Sequence, residues 1–214
     1  MYKKKPFFIV FEGVEGCGKS FQSKKLYYTL KKNKIDTILT REPGGTKSAE
    51  LIRNLILKDY FIKNNKDKFD KYTDTLLYLA ARNEHIKSKI KPALLKKKVV
   101  ICDRFVDSTL AYQVYGKQVD IKLINNVHKK ILQGIKPNIT FILKFLKKMS
   151  KIRLRKRKTN NRYDNFAQSF YTKAQKSFLK LAKNKKNYYI LESSSNDNAL
   201  EKKIYNIVNR YLNI

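Results

Sequence analysis

A glycine-rich segment near the start of the chain has the residue types and the spacing of a phosphate cradle. It reads Gly13-Val-Glu-Gly-Cys-Gly18-Lys19-Ser20, which fits the P-loop pattern. Glycines let backbone N–H groups wrap a phosphate, the lysine can reach the transferred phosphoryl group, and the serine hydroxyl can hold Mg²⁺. We predict a catalytic role for Lys19 and a metal-binding role for Ser20. The residues expected to bind a nucleotide are Gly13, Val14, Glu15, Gly16, Cys17, Gly18, Lys19 and Ser20.

A second candidate group, Asp103-Arg104, follows the apolar run Val99-Val-Ile-Cys102. An acidic residue beside an arginine suits a site that holds a metal and a second anion together. Asp103 can act through Mg²⁺-bound water, and Arg104 can grip a phosphate bidentately; the alternative is a structural ion pair. The sequence has neither the Asn-Lys-x-Asp motif of a GTPase nor the acidic pair of a motor ATPase. These features favour a kinase.

The hydrophobic pattern predicts a scaffold that brings these groups together. Buried strands are expected at Phe7–Phe11, Thr37–Thr40, Val99–Cys102, Ile139–Leu143 and Tyr188–Leu191. Helices are expected from Ser20 to about Lys32, at about Ala49–Leu57, Thr73–Ile90, Thr109–Tyr115, Ile121–Gln133 and Asn165–Lys183, and from Asn198 onward. Strands that alternate with helices indicate a three-layer α/β/α fold around a parallel sheet, with ligands beyond the carboxyl ends of the strands.

Composition bounds the remaining possibilities. With 214 residues and no linker-like segment, the chain is expected to form a single domain. There is no membrane-length apolar run and no signal peptide, and the two cysteines, which lack metal-ligand spacing, fit a reducing cytoplasm.

The formal charge of +32 could indicate a polyanionic partner such as nucleic acid. Lysine is spread along the whole chain together with asparagine, isoleucine and tyrosine, residues that share A/T-rich codons. We therefore favour compositional drift, and expect any contact with nucleic acid to be non-specific and membranes not to be partners.

Five blocks of sequence resemble the thymidylate kinases of the bacterial type over essentially the full length of the chain. These blocks are Phe11–Ser20, Thr40–Thr46, Tyr78–Arg82 with Glu84-His85, Asp103–Ser108 with Ala111–Gln113, and a basic segment that ends in Asn161–Asp164. The resemblance implies transfer of the γ-phosphoryl group of ATP to dTMP with Mg²⁺, by a homodimer. The alternatives are a related kinase with another deoxynucleoside or pyrimidine monophosphate as acceptor, and an ATP-switched nucleic-acid-binding protein.

The resemblance also implies roles for residues around the acceptor. Arg41 and Arg104 would clamp the acceptor phosphate, which is mostly dianionic at neutral pH and so needs no catalytic base. Glu15 would take the 3′-hydroxyl of the sugar. Positioning and charge neutralisation would then supply the rate.

The base would be read by a separate set of residues. Tyr78 and Arg82 lie one helical turn apart, so Tyr78 could stack on the pyrimidine while Arg82 donates to its O4. Cytosine carries an amine at that position and would be rejected. Gln113 and Ser108 would add hydrogen bonds near the base edge. Simple core packing remains the alternative for Tyr78, and a helix cap remains the alternative for Ser108.

One branch of the family has an arginine in the P-loop, where this chain has Gly16. The resemblance to the bacterial branch implies that Arg157 and Arg162, in a mobile basic lid at about residues 150–165, supply the charge for transfer instead. The alternative is a solvated basic loop.

Overall fold

Strands and helices alternate along the computed structural model, which describes residues 5–58, 68–145, 168–193 and 197–214. The strands are β1 Phe7–Glu12, β2 Thr37–Arg41, β3 Val99–Asp103, β4 Ile139–Phe145 and β5 Tyr188–Ser193. The helices are α1 Lys19–Lys32, α2 Lys47–Lys58, α3 Lys71–His85, α4 Lys91–Leu95, α5 Val106–Thr109, α6 Ile121–Leu132, α7 Gln168–Ala182 and α8 Asp197–Leu212. Each of the five predicted strands is present at its predicted place.

The strands form one parallel sheet in the order β2-β3-β1-β4-β5. At its carboxyl edge the register sets Asp103 beside both Arg41 and Phe11. The chain leaves β1 at this edge to enter the glycine-rich segment. The residues expected to bind phosphate and metal therefore start from neighbouring strand ends, which is where ligands of open parallel sheets bind.

Strand β1 separates the two halves of the core. Phe7, Ile9 and Phe11 pack in one apolar cluster, with side chains from α1, α7 and α8. Phe8 and Val10 point to the opposite face and pack in a second cluster, with residues of the segment from Ile86 to Phe105. Because successive side chains of a strand point to opposite faces, an uninterrupted apolar strand requires cover on both sides. The predicted α/β/α layering is confirmed.

Two helical regions differ from the prediction. The helix expected at Thr73–Ile90 begins at Lys71, widens into a π turn at Ile86–Ile90 and continues as α4 to Leu95. Pro92 has no N–H to donate to the carbonyl one turn earlier, and the wide turn lies immediately before it.

The helix expected at Thr109–Tyr115 begins earlier, at Val106, and passes into a π turn at Leu110–Val114. The carboxylate of Glu12 accepts from the backbone N–H groups of Phe105 and Ser108, at 2.7 and 3.2 Å, and so fixes the earlier start. Within the described ranges, no helix is both long enough and apolar enough to cross a membrane.

Candidate active site

A cavity of about 350 Å³ opens at the carboxyl edge of the sheet. Its walls come from the glycine-rich segment, the ends of β2 and β3, and helices α2, α3 and α5 with the π turn that follows α5. Ten residues singled out in the sequence line it: Glu15, Lys19, Ser20, Arg41, Tyr78, Arg82, Asp103, Arg104, Ser108 and Gln113. Residues that lie up to 98 positions apart in the chain are thus gathered around one space.

The glycine-rich segment has the backbone conformation of a phosphate cradle. Gly13, Gly16 and Gly18 have φ angles of 137, 74 and 92°, which side-chain-bearing residues rarely adopt. At Gly13 there is also no room, because an added Cβ would lie 2.6 Å from the carbonyl oxygen of Leu143. Lys19 is buried at the start of α1 and donates through Nζ to the carbonyl oxygen of Val14 at 2.8 Å. The ammonium group is therefore held over the loop that would surround a phosphate.

Ser20 and Asp103 form the candidate metal site. The Ser20 hydroxyl donates to Oδ2 of Asp103. The other carboxylate oxygen, Oδ1, is buried and has no hydrogen-bond partner among the described residues. A hydroxyl and a carboxylate are oxygen ligands of the type that Mg²⁺ selects, and an unsatisfied carboxylate oxygen suits a metal-bound water. These two residues fit the predicted metal.

Arg104 occupies a strained position from which its side chain reaches back to the glycine-rich segment. Its φ angle of 74° is unusual for a residue other than glycine. Its N–H donates to the carbonyl of Phe11 at 2.9 Å, which turns the chain where β3 ends. Backbone strain of this kind costs energy and is concentrated at functional sites.

The guanidinium of Arg104 links three parts of the cavity wall. It donates to Oε1 of Glu15 at 2.6 Å, and to the Gly13 carbonyl and the Ser108 hydroxyl at 3.0 Å each. The second carboxylate oxygen of Glu15 accepts from the Tyr112 hydroxyl at 2.7 Å. Burial opposes ionisation of Glu15, but Arg104, Lys19 and this hydrogen bond outweigh it and lower the pKa. Glu15 is therefore a carboxylate at neutral pH.

Arg41 contributes a cation at the more open side of the cavity. Its side chain is 55% exposed, and Nη2 lies 3.2 and 3.1 Å from the two carboxylate oxygens of Glu50. Arg53, which the sequence analysis did not identify, also lines the cavity and donates to the carbonyl of Pro43 at 2.7 Å. No motif marked Arg53, because it lies outside the five blocks singled out in the sequence.

Arg82 is held by a buried polar network. Its Nε donates to Oε2 of Glu42 at 2.7 Å, and Nη2 donates to the carbonyl of Phe105 at 2.8 Å. Nη1 lies 2.6 Å from the Thr109 hydroxyl and 2.8 Å from Nε2 of His128. An arginine has five N–H donors. These contacts engage four of them and leave one Nη2 donor without a partner in the described part of the chain.

Glu42 anchors this network. Its Oε1 lies 3.1 Å from Nδ1 of His85, whose Nε2 lies 2.6 Å from the Thr40 hydroxyl. Burial opposes ionisation of Glu42, but the charge of Arg82 and the hydrogen bond from His85 outweigh it and lower the pKa. Gly45 is packed against the same group, since an added Cβ would lie 2.6 Å from His85 Nε2. Both ring nitrogens of the buried His85 therefore have hydrogen-bond partners, which fits a structural role.

The other predicted base contacts lie on neighbouring elements. Tyr78 is buried on α3 at the cavity wall, one turn from Arg82. Gln113 lies in the π turn after α5 and is also buried. Ser108 does not cap a helix: it lies inside α5, accepts from Arg104 and donates to Oε2 of Glu12 at 2.6 Å. The helix-cap alternative is therefore wrong, because Glu12 supplies the cap from β1.

The cavity wall carries more positive than negative charge. Among the described residues, five basic side chains line it, Lys19, Arg41, Arg53, Arg82 and Arg104, against the three acidic side chains Glu15, Glu42 and Asp103. The excess of two positive charges complements a phosphate dianion. A nucleoside monophosphate therefore suits the cavity electrostatically.

Sequence reasoning missed several residues of the cavity wall, and some of the residues it predicted lie outside the part of the chain that the structure describes. Glu42, Thr109 and Tyr112 line the cavity, but no role had been assigned to them. Two of the three fall inside blocks already noted, so the signal was available for Glu42 and Tyr112. Arg157, Arg162 and the proposed lid at about 150–165 lie outside the described residues.

Comparison with known proteins gives a consistent result along the chain. A family model described as thymidylate kinase matches residues 11–204. The thymidylate kinase of Wolbachia pipientis wMel is 44% identical over 178 residues, which cover 82% of this chain and 84% of that protein. That of Halothermothrix orenii is 36% identical over 204 residues, which cover 94% of this chain and 95% of that protein.

The fold also matches a solved structure. The crystal structure of thymidylate kinase from Ehrlichia chaffeensis superimposes with a TM-score of 0.73 at 32% sequence identity. The match covers 95% of this chain and 99% of that one.

Proposed function

The chain belongs to the thymidylate kinase family and phosphorylates dTMP to dTDP. From this we infer which ligand each part of the cavity binds. The cavity binds the acceptor dTMP, and the glycine-rich segment binds the phosphates of the donor. The observation that carries this proposal is the convergence of the ten predicted residues on one cavity with an excess of positive charge.

In this proposal Arg41 and Arg104 clamp the acceptor phosphate. The side chain of Arg41 is 55% exposed at the cavity and its pair with Glu50 is solvent-accessible, so Arg41 can turn to a ligand at little cost. Arg104 is rigidly held next to Glu15 and the glycine-rich segment, between donor and acceptor. The dianionic acceptor is already nucleophilic, so catalysis consists of positioning and charge neutralisation.

Sugar and base recognition follow from the remaining wall. In this proposal Glu15 accepts from the 3′-hydroxyl, and its ionised state and its bonds to Arg104 and Tyr112 support that role. Tyr78 stacks on the pyrimidine, and the available Nη2 donor of Arg82 meets its O4. Gln113 and Ser108 add polar contacts at the base edge. A guanidinium has only hydrogen-bond donors, so Arg82 cannot accept from the amine of cytosine and disfavours it.

The family generally uses Mg-ATP, and we assign its contacts in this chain to the glycine-rich segment, Ser20 and Asp103. Lys19 leaves the Val14 carbonyl and binds the transferred phosphoryl group. Ser20 and Asp103 would hold Mg²⁺, Asp103 through a water molecule, since its Oδ1 has no hydrogen-bond partner in the described residues. When bound, the metal neutralises charge on the ATP phosphates. The remaining contacts to the ATP phosphates come from side chains and backbone N–H groups of the glycine-rich segment.

We also propose that the chain is of the bacterial type, in which residues 1–214 act as one domain with a lid at about 150–165. Arg157 and Arg162 then bring positive charge to the transferred group. The support is the absence of an arginine at Gly16 together with the density of basic residues in the lid sequence.

We propose a homodimer through α2 and α3, which pack on each other and expose apolar side chains. Leu51 and Leu55 of α2 are 69% and 53% exposed, and Leu76 of α3 is 50% exposed. Pairs four residues apart lie on one helix face and form a stripe. In sedimentation velocity, Leu55→Glu should shift the protein to a monomer, whereas Leu95→Glu on α4, where the leucine is 74% exposed, should not.

Titration calorimetry with dTMP and with thymidine tests the acceptor site. Arg41→Gln should weaken dTMP binding by about tenfold or more, the loss of one charge-assisted hydrogen bond, and leave thymidine binding unchanged. Lys98→Gln removes another partly exposed cation, from the pair with Asp36, and serves as the control. Equal weakening of both ligands, or no weakening of dTMP, would remove Arg41 from the phosphate clamp.

A further inference from the structure

His128 contacts the base-reading arginine but does not line the cavity. It lies on α6, is 8% exposed, and places Nε2 2.8 Å from Nη1 of Arg82. Helix α6 packs against α3, where Ile124 and Leu79 belong to one apolar cluster. No sequence motif marks this histidine. Its position lets it support the guanidinium from outside the cavity.

Hydrogen-bond chemistry fixes the state of this histidine. A guanidinium has only donors, so Nε2 of His128 must be the acceptor and the ring proton must be on Nδ1. An imidazolium could not accept this bond and would place a second positive charge against Arg82. Burial and the charge of Arg82, partly opposed by Glu42, lower the pKa of His128 to about 3. The ring is therefore a neutral acceptor at neutral pH.

We propose that His128 is a positioning residue for thymine selection, which acts by holding Nη1 of Arg82 so that the free Nη2 donor keeps one orientation. The inference rests on the proposed base-reading role of Arg82. Glu42 fixes the Nε edge and the Phe105 carbonyl fixes one Nη2 donor, while Thr109 and His128 share Nη1. Without His128, an Nη1 donor is released in the buried network, and the guanidinium gains a second arrangement.

The consequence is specific to the acceptor. A guanidinium with two arrangements offers its donor to O4 for only part of the time, so dTMP binds more weakly and discrimination against dCMP falls. The ATP site contains no atom of this network, because Lys19, Ser20 and Asp103 make none of its hydrogen bonds. A loss of general stability would instead affect both substrates.

Steady-state kinetics of three variants tests this. His128→Leu keeps apolar bulk without an acceptor, and it should raise the KM for dTMP and lower the dTMP/dCMP preference by about tenfold, with the KM for ATP and kcat within about twofold. His128→Gln supplies an amide oxygen and should restore most of the preference. Ile124→Val, one turn away on the same helix, controls for altered packing of α6 and should leave all values unchanged.

An unchanged dTMP/dCMP preference in His128→Leu, or the same loss in Ile124→Val, would overturn the proposal. Arg82→Lys, measured in parallel, separates this outcome from failure of the proposed function. If Arg82→Lys loses the preference while His128→Leu keeps it, only the role of His128 falls. If neither variant changes the preference, Arg82 does not read the base.

A measurement on the unmodified protein keeps the test decisive should His128→Leu not fold. The chain has two histidines, so the imidazole nitrogen resonances in a ¹⁵N spectrum can be separated readily. His128 should show a protonated Nδ1 and a bare Nε2 at neutral pH. A protonated Nε2 would contradict the hydrogen bond to Arg82, and with it the inference.

Discussion

Replacing Glu42 by glutamine tests the buried network with a nearly isosteric change. The Glu42 carboxylate is the negative partner of Arg82, at 2.7 Å, and both side chains are almost fully buried, with exposures of 4% and 3%. The substitution keeps the shape of the side chain but removes its charge. Arg82 then remains buried as a cation without a counter-ion, and one amide N–H group of the glutamine faces the donor of His85.

The size of the effect follows from burial. Removing one partner of a buried ion pair costs about 3–5 kcal/mol, because the remaining charge stays away from water without compensation. Exposed pairs contribute about 0–1 kcal/mol. Asp36→Asn breaks the pair between Asp36 and Lys98, at 3.2 Å and with exposures of 47% and 30%, and is the matched control. We expect Glu42→Gln to lower the free energy of unfolding by about 3 kcal/mol or more, and Asp36→Asn by less than about 1 kcal/mol.

Urea unfolding followed by far-UV circular dichroism measures both values. The dependence of the free energy of unfolding on urea concentration should stay constant among the variants, since the surface exposed on unfolding does not change. A Glu42→Gln protein within about 1 kcal/mol of the wild type would refute this account of the network. Equal losses in the two variants would show that burial does not set the difference.

Three further outcomes are expected. Lys19→Ala should reduce turnover by orders of magnitude with an unchanged circular dichroism spectrum, because the transferred phosphoryl group loses its cation; turnover near the wild-type value would exclude that role. Gly45→Ala should lower the free energy of unfolding in urea by about 2 kcal/mol or more, since φ is 90° and the new Cβ would clash with His85. A smaller loss would mean that the backbone of this turn can relax at little cost. His128 has a pKa lowered from 6.5 to about 3, so at this side chain the unfolded protein binds a proton that the folded protein does not. The stability of the wild type relative to His128→Gln should therefore fall by about 2 kcal/mol from pH 7 to pH 5, and parallel pH profiles of the two proteins would contradict the shift.

The sequence alone predicted the features that depend on local residue patterns. The apolar strands, the glycine-rich cradle at Gly13–Ser20 and the polar groups at strand ends follow from periodicity and spacing. Parallel topology then brings their carboxyl ends to one edge, so Arg41 and Asp103 become neighbours without any detailed knowledge of packing. The layered fold and most of the cavity wall could therefore be predicted.

What the sequence did not reveal depends on contacts between distant residues. The start of α5 is set by Glu12, which lies 93 positions before Phe105. His128 lies 46 positions from Arg82, and only the packing of α6 against α3 brings the two together. Hydrogen bonds of this kind leave no periodic signal in one sequence. The same holds for Tyr112, whose hydroxyl reaches Glu15 across the cavity wall.

A coupled assay of ADP release tests the central claim, that this cavity selects dTMP as the phosphoryl acceptor. With ATP and Mg²⁺, the wild-type protein would be supplied in turn with dTMP, dUMP, UMP, dCMP, AMP and GMP. The geometry predicts the highest kcat/KM for dTMP and a value for dCMP lower by at least about tenfold, because cytosine presents a donor to Arg82. A kcat/KM for dCMP or for a purine monophosphate equal to that for dTMP would contradict the account of the acceptor site.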